Sequence, residues 1–197
     1  MRSIRILSIV IVLAVIVSNL SLQVAQATNG DRNSSSKASK RLVKELKAFH
    51  SSNTFKNGVF TVEPLEDNFY EWNIKIFKLD PESSLHKYFV EWSRRTGKDH
   101  ILLRVSYNEH YPFSPPLVRV VYPYIQGSHI LDGGLICLDL LTETSWTMAY
   151  TIEPLILQIT ASVLAQASIH PGKDNAQYSF TDARNKFDNY LSKRRWY

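Results

Sequence analysis

Two stretches of this chain alternate apolar and polar residues with a period of two, and that pattern restricts the fold more than any other feature. Tyr70, Trp72, Ile74 and Ile76 alternate with Glu71, Asn73 and Lys75, and Ile101, Leu103, Val105 and Tyr107 repeat the pattern. Such a period turns one face of each strand to a core and the other to solvent. A short β-rich run at residues 59–65 precedes them, and another at residues 117–122 follows. The strands follow one another with short connections, so the order predicts a four-stranded antiparallel meander and not alternating βαβ units. Between the second and third strands, Leu85, Tyr88, Phe89 and Trp92 stand at i, i+3, i+4 and i+7, with Gly97 as a stop. They predict a helical insertion near residues 84–96.

Helical patterns flank the meander. Leu42, Leu46 and Phe49 fall on one face of residues 36–49, with Val43 beside them. Lys37, Lys40, Arg41, Lys44 and Lys47 cover the rest, against one acid, Glu45. Toward the C-terminus, Thr151 stands as an N-cap before a core face of Ile152, Leu155, Ile156, Ile159 and Val163. Ser179 to Asp182 resembles a capping box opening a last helix with Phe180, Ala183, Phe187, Tyr190 and Leu191 inward. An N-terminal helix, a meander and C-terminal helices make an α+β fold.

The first 27 residues read as a secretory signal peptide. Arg2 and Arg5 precede an apolar run from Ile6 to Val17, and Ala25-Gln26-Ala27 supplies small residues for cleavage. The run is short for a membrane span of about 20 residues. An uncleaved anchor is the alternative. Lys37, Lys40, Arg41 and Lys44 outnumber Arg2 and Arg5, so the positive-inside rule could leave the domain in the cytoplasm. Residues 28–36 read as a polar linker, with an acceptor pattern for glycosylation at Asn33. The core domain is then 37–197. Its positive charge gathers on one helix without interleaved aromatic residues, which argues against nucleic-acid binding.

Residues 123–150 show little periodicity, and segments that long are more often functional than idle. They contain Asp132-Gly133-Gly134-Leu135-Ile136-Cys137-Leu138-Asp139. The paired glycines let the backbone approach something closely. Cys137 is the one cysteine of the chain, so no intrachain disulfide forms and no cysteine-based zinc cluster can be built. On residue type alone it is either a small buried hydrophobe or a nucleophile. His50, His86, His100, His110 and His170 show no metal-ligand spacing.

Read outward from Cys137, the chain resembles the ubiquitin-conjugating enzymes. Tyr111-Pro112-Phe113-Ser114-Pro115-Pro116 matches their Tyr-Pro-Phe-x-Pro-Pro turn, and Gly134 to Asp139 matches their Gly-x-Ile-Cys-Leu-Asp motif. Trp146 and Ala149 fit their Trp-Ser-Pro-Ala loop. Phe69 to Ile74, Phe77 to Pro81, the insertion, Val118 to Val121, Asn175 to Tyr178 and the terminal Trp196-Tyr197 resemble the Q-type branch. The resemblance implies the ubiquitin-conjugating fold and a thioester of ubiquitin on Cys137, passed to a substrate nucleophile. It also implies docking of the activating enzyme on Lys40, Arg41 and Lys44, and of a ligase on Phe113 and Trp146. No cofactor or metal is implied, since ATP is used by the activating enzyme.

The sequence departs from the family at three places. Where the common pattern has the Asn of His-Pro-Asn, eight positions before the cysteine, this chain has His129. An imidazole there could donate to an oxyanion, act as a base, or serve the loop structurally. Thr147-Met148 replaces Ser-Pro, and Leu191 stands where the Q-type branch tends to have a histidine. Those changes keep open a catalytically weak binding module on the same fold. A Cys/His hydrolase is a further reading, with no orienting acid or amide to assign. Charging needs an enzyme of the cytosol and nucleus, whereas the N-terminus points to secretion or the endoplasmic reticulum.

Overall fold

The computed structural model describes residues 32–183 and residue 185. Residues 1–27, Phe187, Tyr190, Leu191 and Trp196-Tyr197 lie outside the described residues.

Helix α1 spans Arg32–Ser51 and a short α2 spans Asn53–Lys56. The meander follows as β1 (Phe60–Pro64), β2 (Glu71–Ile76), helix α3 (Ser84–Thr96), β3 (Ile101–Ser106) and β4 (Leu117–Tyr122). Sheet order is β1-β2-β3-β4, antiparallel throughout. The register pairs Phe60 with Ile76, Trp72 with Val105 and Val105 with Val118, so the alternating apolar residues of β2 and β3 share one face with Phe60, Val62, Val118 and Val120. Helix α4 spans Ile152–Ile159 and runs on as one π-type turn, Thr160–Leu164.

The period-two residues behave as their spacing demands. Trp72, Ile74, Ile76, Ile101, Leu103 and Val105 are fully buried, and the residues between them are half-exposed. They join Leu42, Leu46 and Phe49 of α1 and Ile152, Leu155, Ile156 and Ile159 of α4 in one apolar cluster. Each such side chain contributes about 1.5–3 kcal/mol through water exclusion. Among the described residues no helix is both long and apolar enough to cross a membrane.

Several local expectations change. Helix α1 begins at Arg32, so residues 32–36 of the expected linker are helical. No proline or glycine interrupts them, and extending an existing helix avoids the nucleation cost. Tyr88 is 49% exposed, because Leu85, Phe89 and Trp92 alone form the buried stripe of α3. Phe180 is likewise half-exposed, whereas the cap it follows is formed: the Asp182 amide donates to Ser179 Oγ at 3.3 Å. A two-stranded ribbon, β5 (Ile125–Gln126) with β6 (Ser168–Ile169), is not legible in the sequence because two-residue strands carry no periodicity.

Candidate active site

The loop carrying Cys137 is built on the glycine pair. Gly133 and Gly134 have φ of 74° and 77°, a region costly for residues with a Cβ. Added side chains would also collide. A Cβ on Gly133 would stand 2.1 Å from the Ala183 nitrogen, and one on Gly134 would stand 2.4 Å from the Val120 oxygen. The pair therefore lets the C-terminal segment and β4 close on the loop from two sides.

After that turn the chain runs along the edge of β4. The Leu131 amide donates to Leu135 O at 2.8 Å, Ile136 to Val118 O at 2.9 Å, and Cys137 to His129 O at 2.8 Å. The Cys137 main chain is thus held directly by His129, and the apolar Leu135 and Ile136 pin the strand into the interior. A 3-10 turn, Asp139–Leu141, ends the run, with Thr142 Oγ1 donating to Asp139 O at 2.7 Å. Cys137 is a free thiol with partial exposure. It lines a cleft whose other walls include Leu117, Leu131, Leu138 and Leu141. A thiol fixed by its own backbone beside apolar walls can form and shelter a covalent acyl intermediate. His129, Asp132 and Asp139 are all exposed. Among the described residues no group of three or more metal-ligating side chains converges.

The residues read as partner contacts divide into two sets. Phe113 is 67% exposed on a turn closed by its amide to His110 O at 2.8 Å, and Lys40 and Lys44 are exposed on α1. Trp146 is buried instead. Its indole N–H donates to Pro112 O at 2.7 Å, and its ring lies between those of Tyr111 and Tyr150. Met148, 58% exposed, is what that loop presents to solvent. Arg41 also turns inward: Nε donates to Glu45 Oε1 at 2.5 Å and a terminal nitrogen to Tyr150 O at 2.7 Å.

Glu45, the one acid set against the five basic residues of this helix, is 4% exposed. Its Oε1 also accepts the Tyr111 hydroxyl at 2.5 Å, and its Oε2 accepts the Ile152 amide at 2.8 Å. The carboxylate, not the Thr151 side chain, therefore caps α4, where negative charge is favoured. Burial, reinforced by the Glu45 charge, pushes the Tyr111 phenol up, so it remains a donor. The helical count is the available signal, since position 45 shares an arc with Leu42 and Phe49.

The profile of the ubiquitin-conjugating enzyme family matches residues 95–194. The chain is 39% identical over 173 residues to ubiquitin-conjugating enzyme E2 Q1 of Homo sapiens, covering 86% of this chain and 41% of that protein. It is 39% identical over 165 residues to ubiquitin-conjugating enzyme E2 25 of Caenorhabditis elegans, covering 82% of this chain and 43% of that one. Probable ubiquitin-conjugating enzyme E2 16 of Arabidopsis thaliana is 28% identical over 121 residues, with 58% of this chain and 74% of that protein covered. The chain thus spans about two fifths of the length of the first two relatives.

Proposed function

Because the chain belongs to the ubiquitin-conjugating enzyme family, in its Q-type branch, we propose that it carries ubiquitin as a thioester on Cys137 and transfers it to a substrate nucleophile. The observation that carries this reading is the thiol itself. Cys137 is partly exposed, unpaired, and fixed by the His129–Cys137 main-chain bond beside an apolar cleft.

In the first step the Cys137 sulfur attacks the thioester carbonyl that joins ubiquitin to the activating enzyme. A new C–S bond forms, the old one breaks, and the departing thiolate takes the proton that Cys137 gives up. In the second step a substrate amine or hydroxyl attacks the same carbon, its proton leaves to a base, and Cys137 departs. The carbonyl oxygen is negative in between, and a positioned donor stabilises it. His129, across the main-chain bond from Cys137, is the residue proposed for that donor or for the base.

The same reading takes ubiquitin, the activating enzyme and a ligase as partners, with no nucleic acid and no bound cofactor. The activating enzyme is taken to dock on Lys40 and Lys44, and the ligase on Phe113 and Met148. Residues 1–27 are taken as an export signal on their sequence pattern. The signal-anchored arrangement with the domain in the cytoplasm is the second reading, favoured by the lysines of α1. Protection of Cys137 from protease in sealed microsomes supports export, and cleavage from the cytosolic face supports the anchor.

The test is a gel with and without reductant after the full chain meets activating enzyme, ATP and ubiquitin. The expected result is a reductant-sensitive band heavier by one ubiquitin, absent from Cys137→Ala. If neither ubiquitin nor its close relatives give that band, the carrier reading is wrong, and a binding module on the same fold replaces it.

A further inference from the structure

We infer that Glu45 is a positioning residue for charging, one buried carboxylate that sets the basic helix and both neighbouring loops into a single docking surface. The inference rests on the thioester-carrier reading above. Glu45 gathers donors from three separate elements: Arg41 of α1, Tyr111 of the Tyr-Pro-Phe turn, and Ile152 at the start of α4. Arg41 extends the knot to Tyr150 O, and the Trp146 indole joins the same loop to Pro112 O. The side chains that these anchors leave exposed are Lys40, Lys44, Phe113 and Met148. Lys44 and Met148 line one depression, with Glu45 at its base.

A buried carboxylate accepting three donors has little freedom to accept rearrangement, since any lost bond strands a polar group in the interior. Turning α1 about its axis would pull Glu45 from Ile152 and Tyr111 together. The lysine row therefore keeps one orientation relative to Phe113 and Met148. None of these bonds touches the Cys137 loop, so Glu45 acts on docking and not on the reacting atoms.

The experiment uses Glu45→Gln, which keeps shape but turns an amide N–H₂ toward one set of donors. Charging of the full chain is followed while its concentration is varied against activating enzyme, ATP and ubiquitin. The expected result is a KM raised about ten-fold with kcat changed less than about two-fold, as for lost docking complementarity. Faster hydrogen exchange at the Ile152 amide should accompany it. Tyr111→Phe removes one donor while keeping the ring, and should raise KM in the same sense but less, which keeps the test decisive if the Gln variant unfolds. An unchanged KM in both variants, or a fall in kcat as large as the rise in KM, overturns the inference while leaving the carrier reading standing. A wild-type chain that forms no thioester removes both.

Discussion

Gly133 lies directly beneath the main chain of Ala183, so closely that a Cβ on the glycine would stand 2.1 Å from the alanine nitrogen. The motif loop and the segment around Ala183 are therefore packed directly on each other, four residues before Cys137.

Gly133→Ala should destabilise the fold by at least about 2 kcal/mol, from positive φ and overlap together. Gly58 also has positive φ, at 61°, but nothing stands within 4 Å of its would-be Cβ. Gly58→Ala should cost only the backbone strain, about 1–2 kcal/mol. Urea unfolding of both variants measures the difference, and equal losses would show that the Ala183 contact matters little.

His129 can be tested for its role by two substitutions. His129→Ala should slow discharge of the thioester to free lysine by about 10²-fold, the usual cost of removing an oxyanion donor. His129→Gln retains an N–H donor but no base. Recovery of most of the rate in the Gln variant identifies a donor, and equal loss in both identifies a base. Discharge at the wild-type rate in both would leave the histidine without a part in transfer.

Phe113 and Trp146 should separate stability from docking. Phe113→Ala removes an exposed ring and should shift unfolding by no more than about 0.5 kcal/mol, while weakening ligase-dependent transfer. Trp146→Phe leaves the half-buried Pro112 carbonyl without its donor and should cost about 1–2 kcal/mol. Parallel melting curves and transfer assays decide; a stability loss in the Phe113 variant would contradict the exposed placement.

Asp174 fastens the insertion to the C-terminal loop. Its carboxylate accepts two bonds from Arg95, each 2.9 Å, and its carbonyl accepts the Trp92 indole at 3.1 Å. The hydrogen bond from Arg95 lowers the Asp174 carboxyl below its ordinary 3.8. A depressed carboxylate contributes its stabilisation above that ordinary value, and the contribution is lost as pH falls through the lower folded one. In Arg95→Ala the Asp174 titration should move upward toward 3.8, and the Trp92 indole signal should follow that titration. A titration unmoved by the substitution would mean that the pair does not hold in solution.

The elements readable from the sequence are those whose pattern is local. The alternation at Tyr70–Ile76 and Ile101–Tyr107 needs only a period of two, and α3 needs only a spacing and a stop at Gly97. The Cys137 loop is legible for a different reason, because a glycine pair, a lone thiol and their neighbours form a contiguous motif. Arg41 and Trp146 hold main-chain partners that the sequence does not announce, since residue type and helical position do not say which polar group already has a partner inside.

By itself the sequence determined the four strands, the insertion and the identity of the thiol, since periodicity and backbone freedom act over a few residues. Only the tertiary structure decided that Glu45 would cap α4. The Ile152 amide lies 107 residues away in sequence and becomes a neighbour only when α1 packs beside the start of α4. A carboxylate in water and a carboxylate sealed among three donors are the same residue in the sequence, and burial alone separates a solvated charge from a structural anchor.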